Sequence, residues 1–242
     1  MAWQNGYSRG WFITGTSTGV GKTVITAALF SILSNKQKES AVFKPVQTGV
    51  SEQITTDAEF CYKTTRRLGE YNPELFSPYR FRYPASPHLA AQREGKKIDP
   101  GLILRHFKKL KQHYRTLLIE GAGGVLVPLT KQYFMADLIR DLRLPVILVS
   151  LLKLGTINHT LLTIRFLKSV TIPIVGIVFN RVSRKLSLIE RDNLRVIPRL
   201  SGIPVLGCFP ELKGINVEKG RIGNLRKEAV RANFFTKKNW SF

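Results

Sequence analysis

Acidic side chains are scarce in this chain: 16 aspartates and glutamates stand against 38 lysines and arginines, a formal net charge of +22 in 242 residues. An excess of that size ordinarily raises nucleic acid as a partner. Here it is spread too evenly to define a binding face, with 18 basic and 9 acidic residues up to position 120 and 20 and 7 beyond it. Only Lys108-Lys109-Leu110-Lys111 and the tail around Arg226, Lys227, Lys237 and Lys238 are locally basic. The expectation is a generally cationic, solvated surface that steers anionic substrates, with nucleic acid not expected as a partner despite the charge. Cysteine is scarcer still. Cys61 and Cys208 lie far apart, each without a second Cys or His at metal-ligand spacing, which argues against a disulfide framework and for free thiols in a reducing compartment. No apolar run reaches the length that spans a bilayer and no apolar signal-peptide core opens the chain, so a soluble cytoplasmic protein, with no membrane partner, is expected. Repeats and low-complexity linkers are also missing, and one domain covering residues 1–242 is expected. The four histidines offer no Ser/His/Asp or metal-histidine pattern. His88 lies in a proline-rich loop where it can shape a site, His106 and His113 are expected to be exposed on a basic helix, and His159 reads as structural.

What is present is a phosphate cradle. Gly15-Thr16-Ser17-Thr18-Gly19-Val20-Gly21-Lys22-Thr23 sits between an apolar run, Trp11-Phe12-Ile13, and an amphipathic stretch from Val24 to Leu33, the order strand, loop, helix. In such a loop backbone N–H groups close around phosphate oxygens, the helix N-terminus adds its positive end, the lysine reaches the β- and γ-phosphates, and the hydroxyl ligates Mg²⁺. Five residues separate Gly15 from Gly21 where the general pattern has four, and Thr16 occupies the usual first-glycine position. The loop residues Thr18, Gly19, Val20, Gly21, Lys22 and Thr23 are the expected nucleotide contacts.

Five further short apolar runs read as strands: Ser40 to Lys44, Thr116 to Ile119, Pro145 to Leu151, Pro173 to Phe179 and Pro204 to Cys208. Helical periodicity marks Val24–Leu33, Asp57–Leu68, Leu102–Tyr114, Met135–Leu142, Ile157–Leu167 and Leu188–Arg199. Alternating strands and helices, with strands that are apolar throughout rather than at every second residue, predict an α/β fold with a mainly parallel sheet covered by helices on both faces, of the P-loop NTPase kind. Gly69–Pro100, with five prolines, reads as a long irregular connection, and the stretch from Gly214 to Phe242 has no legible place. Ligands bind at the carboxyl ends of the strands in such sheets. Every strand here ends in a charged or glycine-rich segment: the phosphate loop, Lys44–Gly49, Glu120–Gly124, Lys153–His159, Asn180-Arg181 and Pro210-Glu211-Leu212. One continuous site is the economical reading.

Together these segments resemble ATP-dependent dethiobiotin synthetase over about residues 10–212. That family's phosphate loop, Gly-Thr-Asp-Thr-x-Val-Gly-Lys-Thr, has the same five-residue spacing, and its Lys-Pro-Val…Gly, Ser-Pro-His, Glu-Gly-Ala-Gly-Gly, Lys-Leu-Gly-x-Ile-Asn-His and strand-end Asn appear here as Lys44–Gly49, Ser86–His88, Glu120–Gly124, Lys153–His159 and Asn180. The resemblance implies carboxylation of one amine of 7,8-diaminopelargonate by CO₂ (from bicarbonate), phosphorylation of the carbamate by ATP, and ring closure by the second amine. It further implies a homodimer.

By that resemblance Thr23, Asp57 and Glu120 hold Mg²⁺, while Lys22 and Lys44 are the catalytic cations. Gly121 and Gly123 join the ATP contacts. Asn180 meets adenine with Pro210, Glu211 and Leu212 beside it. Thr48 and Lys44 approach the reacting nitrogens, and Gly155 and Asn158, at the start of a helix, take the distal carboxylate of the substrate across the dimer interface. Plainer readings stand beside these: Asp57 as a helix N-terminal acid, Lys44 as a strand-end lysine reaching water, Thr48 as a turn residue. Ser17 stands where the family commonly has Asp, and Gly19 where some members have an acid, so a charge that would fix Lys22 or an amine is missing. A cobyrinate-type amidotransferase would need a further glutaminase domain with a nucleophilic Cys. A chromosome-partitioning ATPase would carry an extra lysine early in its loop, and a non-catalytic relative would not need Lys22, Lys44, Asp57 and Glu120 together.

Overall fold

The computed structural model describes residues 9–36 and 39–232, so Lys237 and Lys238 of the basic tail lie outside the described residues. In chain order the elements are β1 (Arg9–Gly15), α1 (Lys22–Lys36), β2 (Ser40–Phe43), β3 (Val46–Thr48), α2 (Asp57–Thr64), a 3₁₀ turn (Leu68–Glu70), α3 (Pro73–Phe76), β4 (Tyr79–Phe81), α4 (Pro87–Arg93) and α5 (Pro100–His113). There follow β5 (Thr116–Glu120), α6 (Met135–Leu142), β6 (Val146–Leu151), α7 (Thr156–Ser169), β7 (Ile174–Val182), α8 (Leu188–Ser201), β8 (Val205–Pro210), β9 (Ile215–Asn216), β10 (Arg221–Ile222) and α9 (Leu225–Arg231).

Six strands form one parallel sheet in the order β2-β5-β1-β6-β7-β8. Consecutive residues of β2 and β5 are all buried, which requires cover on both faces and explains why these strands are apolar throughout. Helices pack pairwise over the sheet, α1 with α2 and α9, α5 with α6, and α7 with α8. The buried apolar side chains, from Trp11 to Ala229, form one continuous cluster. The six expected strands and the parallel α/β architecture are as the sequence implied, each boundary moving by a residue or a few.

Three expectations need correction. The helix predicted over Asp57–Leu68 stops at Thr64: Thr65 caps it and Arg66 turns into the left-handed region at φ 59°, so Leu68 falls in the separate 3₁₀ turn. The stretch predicted as an irregular connection, Gly69–Pro100, is organised. Its proline positions start helices, with Pro73, Pro87 and Pro100 at the first turns of α3, α4 and α5, where the missing N–H costs nothing, and β4 pairs in parallel with β3 in a small second sheet. Residues 214–232, unplaced from sequence, form an antiparallel β9–β10 ribbon and α9, which packs on α1.

Candidate functional site

Strands β2, β5 and β1 are neighbours in that order, so the residues that follow them meet at one edge of the sheet. In the β2–β5 ladder Phe43 is level with Ile119, which brings Lys44 and Glu120, the next residues of each strand, side by side, and Ile13 of β1 is level with Glu120. Neighbouring strands lie about 4.8 Å apart, within reach of a side-chain ion pair. Lys44 Nζ is 2.8 Å from Glu120 Oε1 and 2.7 Å from Asp57 Oδ2, and it donates to the Gly121 carbonyl at 3.1 Å. An ammonium has three N–H donors, and all three are used. Thr23 Oγ1 donates to the same Glu120 Oε1 at 2.8 Å. Glu120 Oε2 is buried without a hydrogen-bond partner.

Asp57 comes to this cluster by its helix. It is the first residue of α2, whose cap Thr56 accepts from the Glu59 N–H while Glu59 reaches back to the Thr56 N–H, a reciprocal capping box. Gln47 Oε1 accepts the Asp57 N–H at 3.2 Å, and the Thr55 N–H donates to the Glu218 carbonyl at 2.8 Å. The start of α2 is thus tied both to the segment after Lys44 and to the C-terminal ribbon. Asp57 is at once a helix N-terminal acid and a partner of Lys44, so the two readings describe one residue.

The charges are strongly coupled. Burial opposes ionisation of Asp57, but the Lys44 ammonium outweighs it and holds the carboxyl below its ordinary range. Glu120, wholly buried and close to the Asp57 charge, is pushed up in spite of Lys44. Burial acts against the Lys44 ammonium too, yet Asp57 and Glu120 together hold it above the ordinary lysine value. Lys22 differs. Burial and the nearby Lys44 charge lower it to about 8, and its Nζ donates to the Ser17 carbonyl at 3.1 Å rather than to any carboxylate. The Ser17 hydroxyl donates to the Thr18 carbonyl. The loop thus offers Lys22 a carbonyl and no acid to replace the charge absent at position 17.

The phosphate loop is braced from below. Asn180, at the carboxyl end of β7 and buried, donates from Nδ2 to the Val20 carbonyl at 2.9 Å. It lies so close to Gly21, which has φ 89°, that any Cβ there would collide with the amide. Pro210 ends β8 level with Val182, and Glu211 and Leu212 follow it, the Glu211 N–H donating to the Val182 carbonyl. Gly121 packs on Phe12, and Gly123 faces Val127 and Thr18, so the segment after β5 lies against the loop. Thr48 is half-buried on β3, four residues past Lys44. Gly155 and Asn158 stand outside this contact set. They are exposed at the start of α7, where Gly155, at φ 86°, caps the helix without a side chain; the Thr156 N–H donates to the Lys153 carbonyl at 3.1 Å, and those of Ile157 and Asn158 have no acceptor among the described residues. His106, expected to be exposed, is half-buried with Nδ1 3.2 Å from the Leu75 carbonyl.

The oxygen set suits a hard divalent cation. Two carboxylates and a hydroxyl converge, and one carboxylate oxygen is buried without a partner, a state that is costly unless a cation or donor takes it. Thr23, Asp57 and Glu120 are the residues that would hold Mg²⁺. Sequence reading assigned nothing to Gln47 or Glu59. For Glu59 a signal was available: the run Thr56-Asp57-Ala58-Glu59 carries the capping-box signature, Thr and Glu three residues apart. Gln47 had none, because its partner is ten residues away in another element.

Residues 9–219 match the family model described as an AAA domain. The chain is 36% identical over 210 residues to the ATP-dependent dethiobiotin synthetase BioD of Bacillus subtilis, covering 87% of this chain and 90% of that protein. It is 40% identical to the protein of the same name from Halalkalibacterium halodurans, covering 84% of each, and 38% identical to that from Thermodesulfovibrio yellowstonii, covering 87% and 92%. Among solved structures it is similar to the MinC:MinD cell division complex of Aquifex aeolicus, with a TM-score of 0.63 at 15% identity over 94% of this chain and 93% of that one. It is likewise similar to a plasmid partition protein of Borrelia burgdorferi bound to AMPPNP, with a TM-score of 0.60 at 14% identity over 96% and 100%. At those identities the structural likeness establishes the P-loop fold alone.

Proposed function

Since the chain belongs to the ATP-dependent dethiobiotin synthetase family, we propose that it closes the ureido ring of dethiobiotin from 7,8-diaminopelargonate, CO₂ and ATP, with Mg²⁺, in the cytoplasm. It is a ligase of biotin biosynthesis. The observation that carries the reading is the constellation of Lys44, Asp57, Glu120 and Thr23 at the mouth of the phosphate loop. Phosphoryl transfer to a carbamate brings anionic oxygens together, and a site preorganised for it needs fixed positive charge and hard oxygen ligands in one place.

In this reading the backbone N–H groups from Thr18 to Thr23 hold the β- and γ-phosphates. Lys22, buried and without a carboxylate partner, supplies charge to them, and Thr23, Asp57 and Glu120 hold the cation. When bound, Mg²⁺ neutralises charge that builds between the phosphate oxygens during transfer. Lys44 serves the carbamate and γ-phosphate, and Thr48 the reacting nitrogens. Asn180, with Pro210, Glu211 and Leu212 beside it, borders the adenine. The amide of Asn180 already spends one N–H on Val20, so adenine would be met by what remains of that side chain.

A homodimer supports the placement of Gly155 and Asn158. Leu154, Leu162 and Leu188 are 81%, 58% and 77% exposed, an apolar cost that a partner surface would relieve. Leu154 and Leu162 line a groove of about 530 Å³ together with Gly155, Asn158, Leu161 and Arg165. The N–H groups of Ile157 and Asn158 at the start of α7, with Arg165 lining the same groove, suit a carboxylate. Phosphate release with diaminopelargonate, bicarbonate, ATP and Mg²⁺ tests the function, with dethiobiotin identified by mass; release that does not depend on the diamine refutes it.

A further inference from the structure

The pairing of Lys44 is too complete for the role just given to it. Its three N–H donors are spent on Asp57, Glu120 and the Gly121 carbonyl, and the first two are the carboxylates expected to hold the cation. Glu120 Oε1 already accepts from both Lys44 and Thr23, while Oε2 is buried with no partner. The ammonium therefore occupies the charge position of a metal, and it does so as a single charge facing two carboxylates. A dication on these oxygens and an ammonium bonded to them would repel one another while competing for the same lone pairs. Lys22, a second cation near the cluster, adds to that repulsion.

We infer that Lys44 is an internal stand-in for the divalent cation: metal loading of Asp57 and Glu120 displaces the ammonium, and only then is Lys44 free to serve the nucleotide and carbamate. The inference rests on the catalytic reading above for what the freed lysine does, but the exchange itself is a property of these four side chains. Its consequence is an order of assembly. Without metal the carboxylates are paired from within and the lysine is withheld; with metal the second cation is delivered at the same moment.

The test uses the full chain without nucleotide or substrate. Mn²⁺ alone, titrated by electron paramagnetic resonance of the free ion, is expected to bind Lys44→Met at least about tenfold more tightly than the wild type, roughly the worth of one charge-assisted hydrogen bond that no longer has to be broken. Lys44→Arg, which keeps the charge, should stay near wild type. Equal or weaker Mn²⁺ affinity in a folded Lys44→Met overturns the exchange. Should that variant fail to fold, the wild type itself decides: the slowly exchanging Lys44 ammonium signal in ¹H–¹⁵N spectra, identified by its loss in Lys44→Arg, should shift or broaden on adding Mg²⁺ alone, and an unmoved signal overturns the proposal. A chain that makes dethiobiotin but shows no exchange loses only this inference, whereas one that exchanges but makes no dethiobiotin loses only the catalytic reading.

Discussion

Binding of ATP should draw protons from solution at mildly alkaline pH, and Lys22 sets the amount. Burial and the Lys44 charge lower its folded pKa from 10.5 to about 8, a difference that costs the fold about 3 kcal/mol while the ammonium stays charged. The sign follows from where protons sit. Below about 8 the lysine is charged in both folded and unfolded chains and the full cost is borne. Between about 8 and 10.5 the unfolded chain holds more proton than the folded one, so stability rises with pH across that window. Phosphate oxygens in the loop reverse the effect by favouring the charged form. At pH 8, where half of the free protein carries a neutral Lys22, binding should take up about half a proton, approaching one near pH 9 and vanishing toward pH 6. Isothermal titration with ATP and Mg²⁺, without the diamine, in two buffers of different ionisation enthalpy measures this directly. Lys22→Arg, charged throughout, should abolish the uptake. Proton release, or no linkage between pH 8 and 9, would refute the assignment of a poised neutral fraction to Lys22.

Lys44→Gln should leave ATP affinity within a few-fold of wild type while lowering turnover by about a hundredfold or more, the scale of losing one preorganised charge in the transition state; steady-state phosphate release measures it, and near-normal turnover removes Lys44 from the chemistry. Gln47→Leu takes the acceptor from the Asp57 N–H, a loss of about 1 kcal/mol at that helix start; it should raise the Mg²⁺ concentration needed for half-maximal rate by about fivefold and leave the rate at saturating Mg²⁺ little changed. Arg226→Ala removes the guanidinium that donates to the Lys63 and Thr64 carbonyls at the end of α2. It should lower Tm by about 5 °C in calorimetry, from roughly 2 kcal/mol of charge-assisted bonding in a chain of this size.

How much of this was legible beforehand depended on range. Period and punctuation act locally, so the strands, the phosphate loop and the parallel class could be read from runs of residues such as Val146–Ser150, buried throughout because helices cover both faces. The prolines of the Gly69–Pro100 stretch misled because a proline that breaks a helix interior also opens one: the same residue type marks Pro73, Pro87 and Pro100 as helix starts. The end of α2 escaped because Arg66 adopts a left-handed turn that its residue type does not announce.

The site divides in the same way. Each strand end could be named as functional, but which ends touch is decided by strand order, and β5 inserts between β1 and β2 although it comes well after both in the chain. That insertion is what sets Glu120 between Thr23 and Lys44. It also turns a lysine expected to wait for phosphate into one already bound to the metal's carboxylates, a relation no spacing along the chain could carry. The position of Lys44 is thus a product of topology, and its pairing follows from electrostatics: a buried acid at the end of β5 and a partly buried one at the start of α2 will take the cation that β2 presents until a better one arrives.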